Sequence, residues 1–203
     1  AKGLASVPGM APDADTTGRT AMNRPTILAA TVLAAALGSA AIAQPRPYSP
    51  GPHNIELPAD WQQRFIRYST VDNPGRKIIR NIYINPEAFA ALRPGTPLPH
   101  GTLVIMADQR ARLDPQGNPL LDANGRMIPE PAFIAIAAQQ KERGWGEGYG
   151  PELRNGEWEY ARFNPQTGGR VEGPLNACFT CHLQARAQQD FTFTTWDYAN
   201  RTR

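Results

Sequence analysis

Residues 58–68, PADWQQRFIRY, place Trp61, Phe65 and Tyr68 at i, i+4 and i+7, the spacing of one helical face. Pro58 precedes this stretch and Asp60 falls in its first turn, so a helix with a buried aromatic face is predicted here. RKIIRNIYI, residues 76–84, is β-branched and bounded by Asn73-Pro74-Gly75 and Asn85-Pro86, which predicts a strand. PEAFAAL then reads as a short helix with Pro86 in its first turn. From Thr102 to Leu113 a second strand puts Leu103, Ile105, Ala107 and Ala111 on one face. Its other face changes from Val104 and Met106 to Asp108, Arg110 and Arg112, so it leaves the apolar interior partway along. DPQGNPLLDANGRM is a turn region, and PAFIAIAAQQK a third strand. After the glycine-rich GWGEGYGPELRNG, the segment EWEYARF alternates Trp158 and Tyr160 with Glu157 and Glu159, a fourth strand with one wet face. The segment from Leu175 to about Gln188 reads as a helix, and FTFTTW as a short closing strand. Strands separated by turns, with few helices between them, favour an α+β fold: a mainly antiparallel sheet with helices set apart.

The N-terminal part has a different character. From Met22 the chain runs MNRPTILAATVLAAALGSAAIAQ, with one arginine, an apolar run from Ile27 to Leu37 and the small-residue triplet Ala41-Ile42-Ala43. This is the layout of an export signal over residues 22–43, cleaved before Gln44. The apolar run is shorter than the roughly 20 residues that cross a bilayer, so no membrane anchor is expected after cleavage. Residues 1–21 are small, polar and aperiodic, as in a disordered upstream segment or a mis-set start. Residues 44–57 are proline-rich and expected to form an extended arm. Residues 58–203 then form one domain.

Charge excludes little beyond nucleic acid. Removing residues 1–43 takes Lys2, Arg19 and Arg24 from 21 basic residues, and Asp13 and Asp15 from 18 acidic ones. The remaining 18 against 16 gives +2, without the concentrated basic footprint of a nucleic-acid binder.

The densest chemistry lies in NACFTCHLQ, residues 176–184, which holds both cysteines of the chain and one of its three histidines. Cys178-Phe179-Thr180-Cys181-His182 is the attachment pattern of a c-type haem. Two thiols three positions apart can add to the two vinyl groups on one porphyrin edge, and the adjacent imidazole can reach the iron. Three other readings compete. A structural zinc site wants four ligands, and no second cysteine pair exists. A dithiol redox pair expects a strand-to-helix junction in a βαβ setting, which the pattern lacks. A disulfide across two intervening residues is strained.

With haem, function depends on the sixth coordination position: a second strong ligand makes an electron carrier, an open side lets iron meet a small molecule. Met106, Met127, His53 and His100 are the available ligands, and each has a plainer role in core, turn or arm. The distal side is therefore expected to be built from sheet side chains without a protein ligand.

Together with the CxxCH segment CFTCHLQARAQQDFTFT, the phrases RNIYIN, PLPHGTLVIM and GWGEGYGPELRNGEWEYARF resemble the cytochrome P-460 family, which includes the cytochromes c′-beta. The likeness runs from about Trp61 to Phe193. It implies a largely antiparallel domain with haem near a C-terminal helix, often as a homodimer, and five-coordinate iron bound by His182. Cytochromes P-460 oxidise hydroxylamine and carry a lysine–porphyrin link. The c′-beta members lack that link, cover the distal face with aromatic side chains and bind nitric oxide or carbon monoxide. Where the family's lysine falls, near the strand after HGT, this chain has Arg110 and Arg112, with no lysine between Lys77 and Lys141. A guanidinium stays protonated and is a poor nucleophile, so the link is expected to be absent.

The reading is thus a periplasmic monohaem cytochrome that binds or oxidises small nitrogen species, with a redox partner protein where electrons must leave. Its rival is a six-coordinate electron carrier. Cys178 and Cys181 are the expected anchors and His182 the iron ligand. Beyond them, Arg110 is a candidate for the propionates and Arg112 for the distal pocket. Phe133, sharing a strand face with the small Ala135 and Ala137, is a candidate wall of the haem site, and Glu147 in GWGEGY a candidate proton acceptor.

Overall fold

The computed structural model describes residues 48–201. The upstream segment 1–21, the expected export signal 22–43 and the first residues of the arm, 44–47, lie outside the described residues, as do 202 and 203. Five antiparallel strands form one sheet in the order of the chain: β1 (Ile66–Asn73), β2 (Ile78–Ile84), β3 (Thr102–Ala111), β4 (Pro129–Lys141) and β5 (Trp158–Phe163). Short helices α1 (Trp61–Arg64) and α2 (Pro86–Ala90) accompany the first half, and α3 (Asn176–Arg186) and α4 (Thr194–Arg201) follow the sheet. The architecture is α+β, as the strand-and-turn pattern implied. Among the described residues no helix is long and apolar enough to cross a membrane.

The middle strands are apolar on both sides. Leu103, Ile105 and Ala107 of β3 join Tyr83, Ile136, Ala138, Ala161 and Phe163 in one cluster, capped by Ile55, Trp61 and Phe65. Val104 and Met106, of opposite parity, join Ile82, Ile84, Trp158 and Tyr160 in a second cluster with Leu175 and Phe179. A sheet covered on both faces explains the unbroken apolar run of β3.

Four local expectations change. The helix at Trp61 lasts one turn, and Phe65 already has extended angles (φ −83, ψ 149). The β-branched Ile66, Thr70 and Val71 pair into the sheet instead, so Tyr68 is a strand residue beside a register shift rather than the third member of a helical face. FTFTTW is not a strand: Phe191 and Thr192 lie in a turn, and Thr194 opens α4. The arm is docked from Tyr48 onward, with a 3₁₀ turn at Pro52–Asn54 and Ile55 fully buried.

The last change explains the docking. Glu159 does not face water; it is fully buried. Its carboxylate accepts from Tyr48 Oη at 2.8 Å, Gly51 N at 3.1 Å, Asn54 Nδ2 at 2.8 Å and Tyr149 Oη at 3.1 Å. A buried charge persists only when its lone pairs are met in this way. Tyr48 also stacks on Trp145 at 6.4 Å.

Candidate functional site

The second face of the sheet is incompletely filled. Between it and the C-terminal helices lies a cavity of about 590 Å³, within the range of small-molecule and cofactor pockets. Val71, Ile82, Val104, Met106 and Ala137 contribute from the strands, and Ala177, Cys178, Cys181 and His182 from α3. Small side chains on β4 create the space: Ala137 lies in register with Met106 and, through it, with Ile82.

Helix α3 presents its three chemical groups to one space. Cys178 is half-buried and Cys181 exposed, both as free thiols. Burial raises the Cys178 pKa, the reverse of the activation that a redox dithiol needs. His182 is held by its neighbours: its ring lies 4.8 Å from Tyr160 and 4.9 Å from Phe193 between centroids. Its Nδ1 lies 2.6 Å from the Phe191 carbonyl oxygen. A carbonyl can only accept, so Nδ1 carries the proton and Nε2 keeps its lone pair. Burial lowers the ring's pKa, which favours the neutral, ligating form. A neutral imidazole with one nitrogen fixed by a carbonyl is the arrangement of a metal-binding histidine. Among the described residues no group of three or more His, Cys, Asp or Glu is placed to hold a metal ion.

These features fit a haem: an apolar slot, two thiols on one wall and an imidazole with an unblocked nitrogen. A guanidinium also meets the cavity, though not one named from sequence. Arg80 of β2 lines it and makes a two-pronged pair with Asp108 of β3, Nε to Oδ1 and Nη2 to Oδ2 both at 2.8 Å. The pairing raises the Arg80 pKa and keeps the 4 %-exposed Asp108 inside.

The remaining sequence candidates lie elsewhere. Arg110 and Arg112 are exposed and outside the cavity lining. Glu147 is exposed on its loop, its backbone carbonyl accepting from Arg154. Phe133 packs on the opposite face against Trp61, centroids 5.7 Å apart. A bulge is the reason: Asp108 pairs with Ala135 but Gln109 with Phe133, so Ile134 is inserted and Phe133 leaves the Ala135–Ala137 face. Arg80 was legible only as the polar interruption in RKIIRNIYI. The helical spacing of Trp61, Phe65 and Tyr68 hides the role of Tyr68, whose hydroxyl meets Thr194 Oγ1 at 2.7 Å beside the cavity.

Of the four possible sixth ligands, only Met106 lines the cavity. His100 pairs with Glu157, Met127 packs with Ile79 and Ala111, and His53 sits in the N-terminal 3₁₀ turn. Among the described residues the two lysines, Lys77 and Lys141, are also outside the lining. Lys77 Nζ reaches the Gly117 carbonyl at 2.8 Å, and Lys141 Nζ holds both oxygens of Asp190 at 2.9 and 3.0 Å.

No curated protein matches the chain. The model of one family, described as Cytochrome P460, matches residues 58–194, about two thirds of the sequence and nearly all of the described domain. The match takes in every strand, α3 and all of the cavity lining but Thr195, and the cofactor that this family implies is haem. The chain belongs to the cytochrome P460 family.

Proposed function

We propose that the protein is an exported c-type cytochrome in which Cys178 and Cys181 anchor one haem by thioether bonds and His182 is its proximal ligand. The observation that carries this reading is that both thiols and the imidazole line a single cavity while Nδ1 is tied to the Phe191 carbonyl. Bound haem would supply an iron centre able to coordinate or oxidise small nitrogen species such as nitric oxide or hydroxylamine. The chain's own part is to position and to shield. The Phe191 carbonyl keeps the proton on Nδ1, Tyr160 and Phe193 brace the ring, and Ile82, Val104 and Ala137 keep bulk water from the sheet side. Arg80 offers the guanidinium suited to a carboxylate. Among the described residues neither Lys77 nor Lys141 reaches the lining, which favours gas binding without a lysine–porphyrin link over hydroxylamine oxidation. The periplasm and a homodimer remain part of this reading, carried by the leader pattern and the family.

Met106 favours the rival reading, since its thioether lies on the cavity wall. Absorption spectra of the reduced protein with and without nitric oxide separate the two. Five-coordinate iron gives a high-spin spectrum that the gas changes, and Met106→Ala leaves its spin state alone. A low-spin spectrum indifferent to the gas, turning high-spin in Met106→Ala, would establish the electron carrier instead.

A further inference from the structure

The carbonyl that meets His182 belongs to an unusual turn. Asp190 and Phe191 are consecutive non-glycine residues with positive φ, 49 and 55. Left-handed backbone is unfavourable for a residue with a side chain, and for one as bulky as Phe it persists only where the surroundings impose it. The surroundings here are specific. The Asp190 carboxylate accepts from Lys141 Nζ through both oxygens, from Leu98 N at 2.8 Å and from Trp158 Nε1 at 3.4 Å. Lys141 and Asp190 are 11 % and 9 % exposed at their side chains, and Lys141 lies over the Trp158 ring, 5.7 Å from its centroid. The next residue after this clamp carries the oxygen 2.6 Å from Nδ1.

We infer that the Lys141–Asp190 ion pair is the positioning device for the proximal histidine: it locks the turn that aims the Phe191 carbonyl at His182 and so sets how strongly the imidazole donates to iron. This rests on the haem reading above. Hydrogen bonding at Nδ1 raises the basicity of a histidine ligand, which stabilises the oxidised metal and lowers its reduction potential. Lys141 and Asp190 touch neither porphyrin nor ligand in this scheme; they act through the turn.

The test is the holoprotein of the double variant Lys141→Met, Asp190→Asn. Asparagine tolerates left-handed backbone, and removing both charges leaves no lone buried ion and no net charge change to move the potential by itself. With the clamp gone, the iron–histidine stretching frequency of the ferrous protein falls and the midpoint potential rises. Lys141→Gln covers failure of the double variant to accumulate. Losing one positive charge would lower the potential through space, so a rise together with a lower stretching frequency reports the imidazole. Lys141→Arg, which retains the charge, restores both readouts toward wild type. Either of the first two variants, loaded with haem and matching wild type in frequency and potential, overturns the inference. Wild-type protein without a histidine-ligated haem defeats the proposed function itself, whereas unmoved variants of a histidine-ligated wild type defeat this inference alone.

Discussion

The two faces of the sheet use one set of strands for opposite ends. On one face Trp61 meets Tyr83 edge-on at 4.8 Å and Phe133 at 5.7 Å, and the docked N-terminal segment seals the edge through Glu159. On the other, alanine at 137 and a short α3 leave about 590 Å³. Protein interiors are close-packed, and a large apolar void forfeits contacts all round its lining. A chain that seals one side this well and leaves the other hollow has its stability concentrated on the first face and its chemistry on the second.

That contrast can be broken from either side. The largest effect is expected from the cavity face: Cys178→Ala with Cys181→Ala abolishes covalent haem, read as cofactor released by acid and organic solvent, while the apoprotein's thermal midpoint barely moves. Haem surviving extraction would contradict the proposed anchors. From the packed face, Trp61→Ala removes a 3 %-exposed indole and costs about 3–5 kcal/mol in denaturant unfolding, with haem per folded molecule unchanged. Glu159→Gln keeps the shape but gives Tyr48, Asn54 and Tyr149 an amide where they met a carboxylate. It costs about 1–3 kcal/mol, and protease sensitivity near residue 50 rises with it.

The smallest expected effect lies at the sheet's far end. Asp72 accepts from Arg126 Nε at 2.7 Å and Nη2 through its other oxygen at 3.0 Å, and from Met127 N at 3.0 Å. The Arg126 hydrogen bonds hold its carboxyl below the usual value. A depressed carboxyl pKa stabilises the fold at pH above the ordinary carboxylate range, and the contribution fades as pH falls through the folded-state value. With Arg126 46 % exposed, Asp72→Asn costs about 1 kcal/mol or less at neutral pH. The difference from wild type shrinks in acid, and a difference independent of pH would remove the ion pair from the account.

The grouping of side chains on α3 is written locally and can be read locally. Five consecutive positions hold the thiols and the imidazole, and a helix brings them together whatever surrounds it. β2 to β5 were also legible, because turn residues bracket each run. What failed depended on partners distant in sequence. The i, i+4, i+7 spacing of Trp61, Phe65 and Tyr68 suits a helix, yet pairing with β2 outweighs it. Alternation put Phe133 with Ala137, and one inserted residue reversed it. Glu159 looked wet because its four donors come from a segment over 100 residues away and from a glycine-rich loop. Arg80 is inconspicuous inside an apolar strand because nothing local reveals that Asp108 lies opposite.

The meander order of the strands means that each pairs with its neighbour in sequence. Each closure is therefore short and entropically mild. The coverings differ: Tyr48 meets Glu159 across 111 positions, and Tyr68 meets Thr194 across 126. Assembly thus divides into a scaffold that can zip progressively as it is synthesised and two lids that must wait for distant stretches of polypeptide. The thiols sit in the later lid, so on the proposed haem reading they stay open to attachment until the last helices settle.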